Sequence, residues 1–276
     1  MEAIVPTFYG VKLYNSLLLG EPYLFEQYTT INEALSINST FLTPGQAFTP
    51  TLNYIAIGNG GHRFVLGNSG NGKPQVVQHS SADANLYNIL PFVMRPQNND
   101  LTPAEQANYA LKTSRTIANV AYFLYYLKVI NASSLTSQDS INTISNNNVI
   151  STPFTPTISN LYPTPPVINN NQPSRVAREY LKSASSVSFT LSASEIQDFL
   201  QVVQLLPEAN NTPIISEMAL CSGMFDSTLG DVVGVQPNTF LSVFFPVPFN
   251  IGSLNYSFSL GNTRPLYQLT PEGTIA

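Results

Sequence analysis

Leu52-Asn-Tyr-Ile-Ala-Ile57, followed at once by Gly58-Asn-Gly-Gly61, is the stretch on which the fold turns. The apolar run is too short for a typical helix and is rich in residues that suit a pleated surface. It stops at four residues that tolerate positive φ, so it reads as a strand ending in a tight turn. Pro44-Gly45 and Pro50 lead into it. Beyond the turn, Arg63 to Leu66 reads as a second short strand, ended by Gly67-Asn-Ser-Gly-Asn-Gly72.

The same signals recur along the chain. Ile117 to Ile130 reads as a long strand covered on both faces. Val187 to Leu191 is a further strand, and Ile214 to Leu220 and Thr239 to Val247 read as core strands. Leu254, Tyr256, Phe258 and Leu260 alternate with polar residues, as on a half-buried strand. Two helices are predicted from their caps. Thr102-Pro-Ala-Glu105 opens one that runs to about Lys112 or Ser114. Ser192-Ala-Ser-Glu195 opens an amphipathic one to about Leu206, with Ile196, Phe199, Leu200, Val203 and Leu206 along one face. Pro6, Gly10, Gly20 and Pro22 leave no long helix before Leu24, and Leu24 to Ile37 fits either a helix or two strands. With about eight to ten strands, the expected fold is mainly β: a β-sandwich or jelly-roll-like domain with two short helices and long extended loops. Residues 1–45 read as an N-terminal arm and 46–276 as a β-rich domain.

Residues 131–175 form an Asn- and Pro-rich excursion from that domain. Asn146-Asn-Asn148, Asn169-Asn-Asn171 and prolines at 153, 156, 163, 165, 166 and 173 argue against a regular helix or a central strand. Phe154, Leu161 and Tyr162 are apolar residues that a plain linker lacks, and they are the candidate interface residues. Two readings stand here: an extended segment lying on its own or a neighbour's surface, or a disordered loop.

Only 10% of the 276 residues are charged, with Lys+Arg 11 against Asp+Glu 16; an average domain has about 25%. Asn, Ser, Thr, Gln, Pro and Gly take the place of charge. Such a surface costs less to desolvate against a partner, and interface cores are depleted in Lys and Glu. Net charge -5 offers no surplus of cations for nucleic acid. No apolar run reaches the ~20 residues needed to cross a bilayer; Val120 to Ile130 comes nearest and is broken by Lys128. The start, Met-Glu-Ala-Ile-Val-Pro, lacks the pattern of a signal peptide. Cys221 is the lone cysteine and has no partner in the chain for a disulfide, in keeping with synthesis in a reducing cytosol. Asn-X-Ser/Thr triplets at Asn38, Asn131, Asn210 and Asn255 are expected by chance in so amide-rich a chain.

Candidate chemistry is sparse. Gly67 to Lys73 has the G-x-x-x-x-G-K spacing of a phosphate loop, but Pro74 stands where Ser or Thr would hold magnesium, and no helix follows. His62 and His79 have no Cys companions, and His79 with Asp83 lacks an evident third ligand, so no metal or cofactor is expected. Cys221 ends an apolar strand, the usual place of a buried small hydrophobe. Ser222 lacks the preceding Gly of a nucleophile elbow. Among the acids, Glu105, Glu195, Asp226 and Asp231 fall in caps or turns. Glu217 stands inside the apolar run Ile214-Ile-Ser-Glu-Met-Ala-Leu220, as a solvent-facing position or a buried, partnered carboxylate. A structural role suits it better than paired-acid chemistry, and the absence of Trp weakens a sugar site. No enzyme is expected.

Leu52-Asn-Tyr-Ile-Ala-Ile-Gly-Asn-Gly-Gly61 resembles the strand and glycine turn near the start of tailed-bacteriophage tail-collar and tail-fibre attachment proteins. Ile214-Ile-Ser-Glu-Met-Ala-Leu-Cys-Ser-Gly223 resembles a later strand of that family. This chain departs from it in the long insertion between the two patches and in lacking a shaft repeat. The resemblance implies a virion structural protein at the neck, collar, tail or baseplate, made in the host cytoplasm. The expected partners are other copies, as a homo-oligomeric ring, and other virion proteins, without nucleic acid or membrane. A receptor- or glycan-binding module and a hydrolase are the alternatives.

Overall fold

The computed structural model describes residues 3–38, 47–48, 50–66, 72–131, 137–145, 148–163, 179–249 and 252–265. The early strands are β1 (Ala3–Pro6), β2 (Tyr23–Leu24), β3 (Ala47–Phe48), β4 (Thr51–Gly58), β5 (His62–Leu66) and β6 (Gly72–Val76). Then come β7 (Ile89–Leu90), β8 (Val93–Pro96), β9 (Tyr109–Ile117), β10 (Val120–Val129), β11 (Ser137–Ser145) and β12 (Asn148–Pro153). The last are β13 (Glu179–Ser192), β14 (Ile214–Asp226), β15 (Asp231–Pro246) and β16 (Ser253–Pro265). The helices are α1 (Phe8–Leu19), α2 (Ile31–Ala34), α3 (Pro103–Gln106), α4 (Ile158–Leu161) and α5 (Ala193–Leu205). The protein is mainly β and of the sandwich-like class expected, with more elements than the sequence suggested and with β13 to β16 longer than the runs that announced them.

The chain forms two compact units. One holds Met1–Ala132 and Thr190–Leu254, the other Ser133–Phe189 and Asn255–Ala276. The first is built on an eight-stranded sheet of order β1-β15-β14-β4-β10-β8, with β7 beside β4 and β9 beside β10. Residues Ile214 to Gly223 of β14 are buried without alternation, as in a strand covered on both faces. α1 and α2 pack on β15, and α5 packs on β8. α5 is the helix expected from its cap: Ser192 accepts from the Glu195 N–H, Glu195 accepts in return, and Ile196, Phe199, Leu200 and Val203 are buried.

The second unit holds a four-stranded sheet of order β12-β11-β13-β16. β11 is a central strand, paired with β12 from Ser140↔Pro153 to Ser145↔Asn148 and with β13 from Ser137↔Ser185 to Thr143↔Glu179. The expectation that no central strand forms in 131–175 is therefore corrected for its first half. Residues 137–152 contain no proline; those quoted begin at 153. β16 occupies the expected place, while the side chains of Tyr256, Phe258 and Leu260 lie outside the described residues, as do residues 164–178 of the excursion.

Three further expectations are corrected. A helix does start at Thr102, with the capping box intact, but it ends at Gln106. Tyr109–Ile117 instead pairs with β10 through a two-residue turn, where Ala118 and Asn119 both take positive φ, 47° and 64°. Such a turn matches the twist of the flanking strands, and pairing outweighs the local helical signal. A twelve-residue helix, α1, occupies the region where none was expected. The N-terminal segment is also no free arm: β1 completes the sheet edge, from Ala3↔Ser242 to Pro6↔Thr239.

Candidate functional site

The two patches Leu52–Gly61 and Ile214–Gly223 lie side by side. β4 and β14 pair antiparallel, with Glu217 opposite Gly58 and Leu220 opposite Ile55. This register aims the Glu217 side chain at the glycine turn. Its Oε1 accepts from the Gly60 and Asn88 N–H groups, both at 2.9 Å, and its Oε2 accepts from the Tyr87 N–H at 2.9 Å. His79 Nε2 lies 2.8 Å from Oε2, and His79 Nδ1 lies 3.0 Å from Asp83 Oδ2. An imidazole carrying both protons satisfies both carboxylates. The ring is stacked between Tyr87 and Phe240, each centroid 4.1 Å away. A Cβ at Gly60 would sit 2.7 Å from the Tyr87 Cβ, so the loop closes on the carboxylate only because glycine stands there.

The side chains of Glu217 and His79 are both fully enclosed. Each carboxylate oxygen of Glu217 holds two donors, an arrangement that fastens a loop to a sheet and leaves no free lone pair aimed at a substrate. Of the two readings left open by the sequence, the buried, partnered carboxylate is the one observed. His79 and Asp83 do meet, through a turn at Ser81–Ala82 and not on a helix. Their third partner was not legible because it lies 138 positions away from His79.

Other sequence candidates are likewise absorbed by the fold. Cys221 is fully buried, and burial pushes its thiol well above the usual range. Ser222 is buried and hydrogen-bonds Asn238 Oδ1 at 3.3 Å. Of the phosphate-loop look-alike, residues 67–71 lie outside the described residues. Gly72 and Lys73 begin β6, paired with Leu66 and Val65 of β5, so the motif runs into a hairpin strand and not a helix. Glu105 and Glu195 close capping boxes, Asp226 accepts from Thr228 N–H in a turn, and Asp231 accepts from Asn38. Arg95 grips Asp198 at 2.7 and 2.9 Å, joining α5 to β8.

What the interior does not absorb is the outer face of α1. The Thr7 hydroxyl caps the helix, accepting from Gly10 N–H at 2.9 Å and donating to Pro237 O at 2.6 Å. The Thr7 N–H reaches Asn238 O, and the Phe8 N–H reaches Ser81 O at 2.7 Å, so the helix starts against β15 and the His79 loop. A Cβ at Gly10 would lie 2.3 Å from Asn238 O, which explains a glycine within the helix. Leu13 alone is buried, in a cluster with Tyr23 and Phe25. Tyr9 is half-buried, and six apolar residues face out: Phe8 is 55% exposed, Tyr14 60% and Leu18 68%, with Val11, Leu17 and Leu19 similarly bare. A helix apolar around nearly its whole girth is one that expects cover.

The three residues singled out for contact lie in the other unit. Leu161 ends α4 and Tyr162 follows it; both are strongly exposed, beside exposed Ile158. Phe154 is half-buried, and its N–H donates to Asp139 O at 2.8 Å. The sequence missed α1 because Gly10 and Gly20 looked like breaks. The signal available was Thr7 as a cap and Gly20 as a stop around twelve residues of largely apolar sequence.

These features define a mainly β protein with a closed polar interior and an open apolar helix. The chain belongs to the DUF7208 family, a family of unknown function, which matches residues 1–272. No curated protein and no solved structure matches it significantly.

Proposed function

We propose that the chain is a non-enzymatic structural subunit that works by packing the outer face of α1 against another protein surface in a large assembly. The observation that carries this reading is the row of exposed apolar side chains from Phe8 to Leu19 on a helix whose inner face is already seated. Six large apolar residues, each at least half exposed within one twelve-residue helix, are more than the scattered single exposures of an ordinary surface. Enclosure of Glu217 and Cys221 removes the best candidates for acid or thiol chemistry and supports the same reading.

The assembly we propose is the neck, collar or tail of a tailed-phage virion. Its support is the sequence resemblance in β4 and β14, together with the amide-rich, charge-poor composition. The described strands of the expected arms, β1 and β11–β12, pair with strands of their own chain, so the mechanism proposed here rests on α1. A second reading, a glycan-binding module, is favoured by one feature of the second unit. One face of its sheet forms a concavity of about 860 Å³ lined by Gln138, Asn142, Tyr180 and Lys182 among small residues. Binding on a glycan array, lost on Tyr180→Ala, would favour it.

The main reading is tested by placing Leu18→Glu in the assembled particle. The expected outcome is a folded chain with unchanged melting that no longer incorporates. Incorporation at the normal level would contradict the reading.

A further inference from the structure

The outer face of α1 is complementary to itself, and we infer that its occupant is a second copy of this chain, the two α1 helices crossing antiparallel about a two-fold axis. This rests on the packing role proposed above and adds the identity of the partner. The face supplies both a ridge and grooves. Val11, Tyr14 and Leu18, spaced three and four apart, make a ridge along the helix. Beside it lie a concavity of about 420 Å³ lined by Phe8, Leu19 and Leu24 with Lys12 and Glu21 at its polar side, and one of about 350 Å³ lined by Leu17, Tyr23 and Pro50 with Ser16 and Glu21. Helices pack by seating the ridge of one in the groove of the other. A two-fold contact requires one patch that offers both.

Area and charge agree with a second copy. With Leu24 added, seven apolar residues 41–68% exposed gather on and beside the helix, enough to form the apolar centre of a standard interface of ~800 Å² per partner. Lys12 is the only charged residue of the helix, and its ammonium is held at 2.7 Å by Glu26 of the same chain. Glu21, which lines both concavities, lies past the end of the helix, so in an antiparallel pair the two copies' Glu21 side chains fall at opposite ends of the contact. A lipid surface fits less well, because interfacial helices carry a basic polar face that this helix lacks.

Sedimentation of the full chain over roughly 1–100 µM tests the pairing. The wild type is expected at twice 30.1 kDa. Leu18→Glu and Tyr14→Glu, both at exposed positions, are each expected to weaken pairing at least about tenfold with unchanged circular dichroism. Spin labels on Tyr14→Cys, near the crossing, should lie closer together than labels on Phe8→Cys by roughly 10 Å, from the helical rise. Buried Cys221 does not compete for the label. A dimer indifferent to both glutamates, or labels equally close at both sites, overturns the inference. So does a wild-type monomer that binds vesicles of phosphatidylcholine and phosphatidylglycerol through Leu18. A monomer whose α1 is covered by a different component of the native assembly overturns the second copy and leaves the packing role intact. A monomer whose α1 stays bare in that assembly overturns both.

Discussion

Glu217→Gln exchanges an acceptor-only carboxylate for an amide whose NH₂ must face donors. The three backbone N–H groups and the His79 ring around it are all donors when the ring carries both protons. Removing one partner from a buried, charge-assisted network costs about 3–5 kcal/mol, so a large fall in the urea midpoint is expected. A shift smaller than about 1 kcal/mol would mean that the network is dispensable. Because Phe8 N–H bonds Ser81, two residues from His79, the same substitution is expected to loosen the start of α1. This residue also marks the limit of the sequence: an acid inside an apolar run is visible at once, whereas its partners arrive from residues 60, 79, 87 and 88 only when the sheet register forms.

At the scale of single elements, capping chemistry was the most legible signal and pairing the least. The Ser192 box begins a real thirteen-residue helix because its apolar spacing continues past the cap. The Thr102 box begins only four residues, since Tyr109–Ile117 finds a better partner in β10. Local propensity names where a helix starts, and long-range pairing decides where it ends. Glu195 gives a pH test of its cap. Burial by itself would raise this carboxyl, but Lys128 at 2.5 Å, the Ser192 N–H and the Tyr109 hydroxyl hold it below its usual range. A lowered folded value contributes stability above the unfolded value, and that contribution is lost as pH falls through the folded one. Wild type should therefore lose melting temperature below about pH 4.5 more steeply than Glu195→Gln; parallel curves would contradict the assignment. For α1, Gly10→Ala pushes a methyl into Asn238 O. A loss of about 1–3 kcal/mol is expected from such overpacking, read by thermal melting, and a neutral result would show that the helix is not seated as described.

For the whole molecule, composition was informative about surface and silent about where that surface lies. A chain with few charges was expected to be covered by partners through extended arms. Much of the described arms is folded into sheets of the same chain, Leu161 and Tyr162 stay exposed as the sequence suggested, and further uncovered apolar surface lies on a helix that sequence breaks had hidden. The interior is closed around Glu217 and Cys221, and the exterior is open at α1.

Thiol labelling at one position tests that account most directly. With Leu18→Cys as the sole accessible cysteine, maleimide should react slowly in the native assembly and at least about tenfold faster once the chain is diluted or released. Equal, rapid labelling in both states would show that nothing covers the helix, and the proposed role would fail.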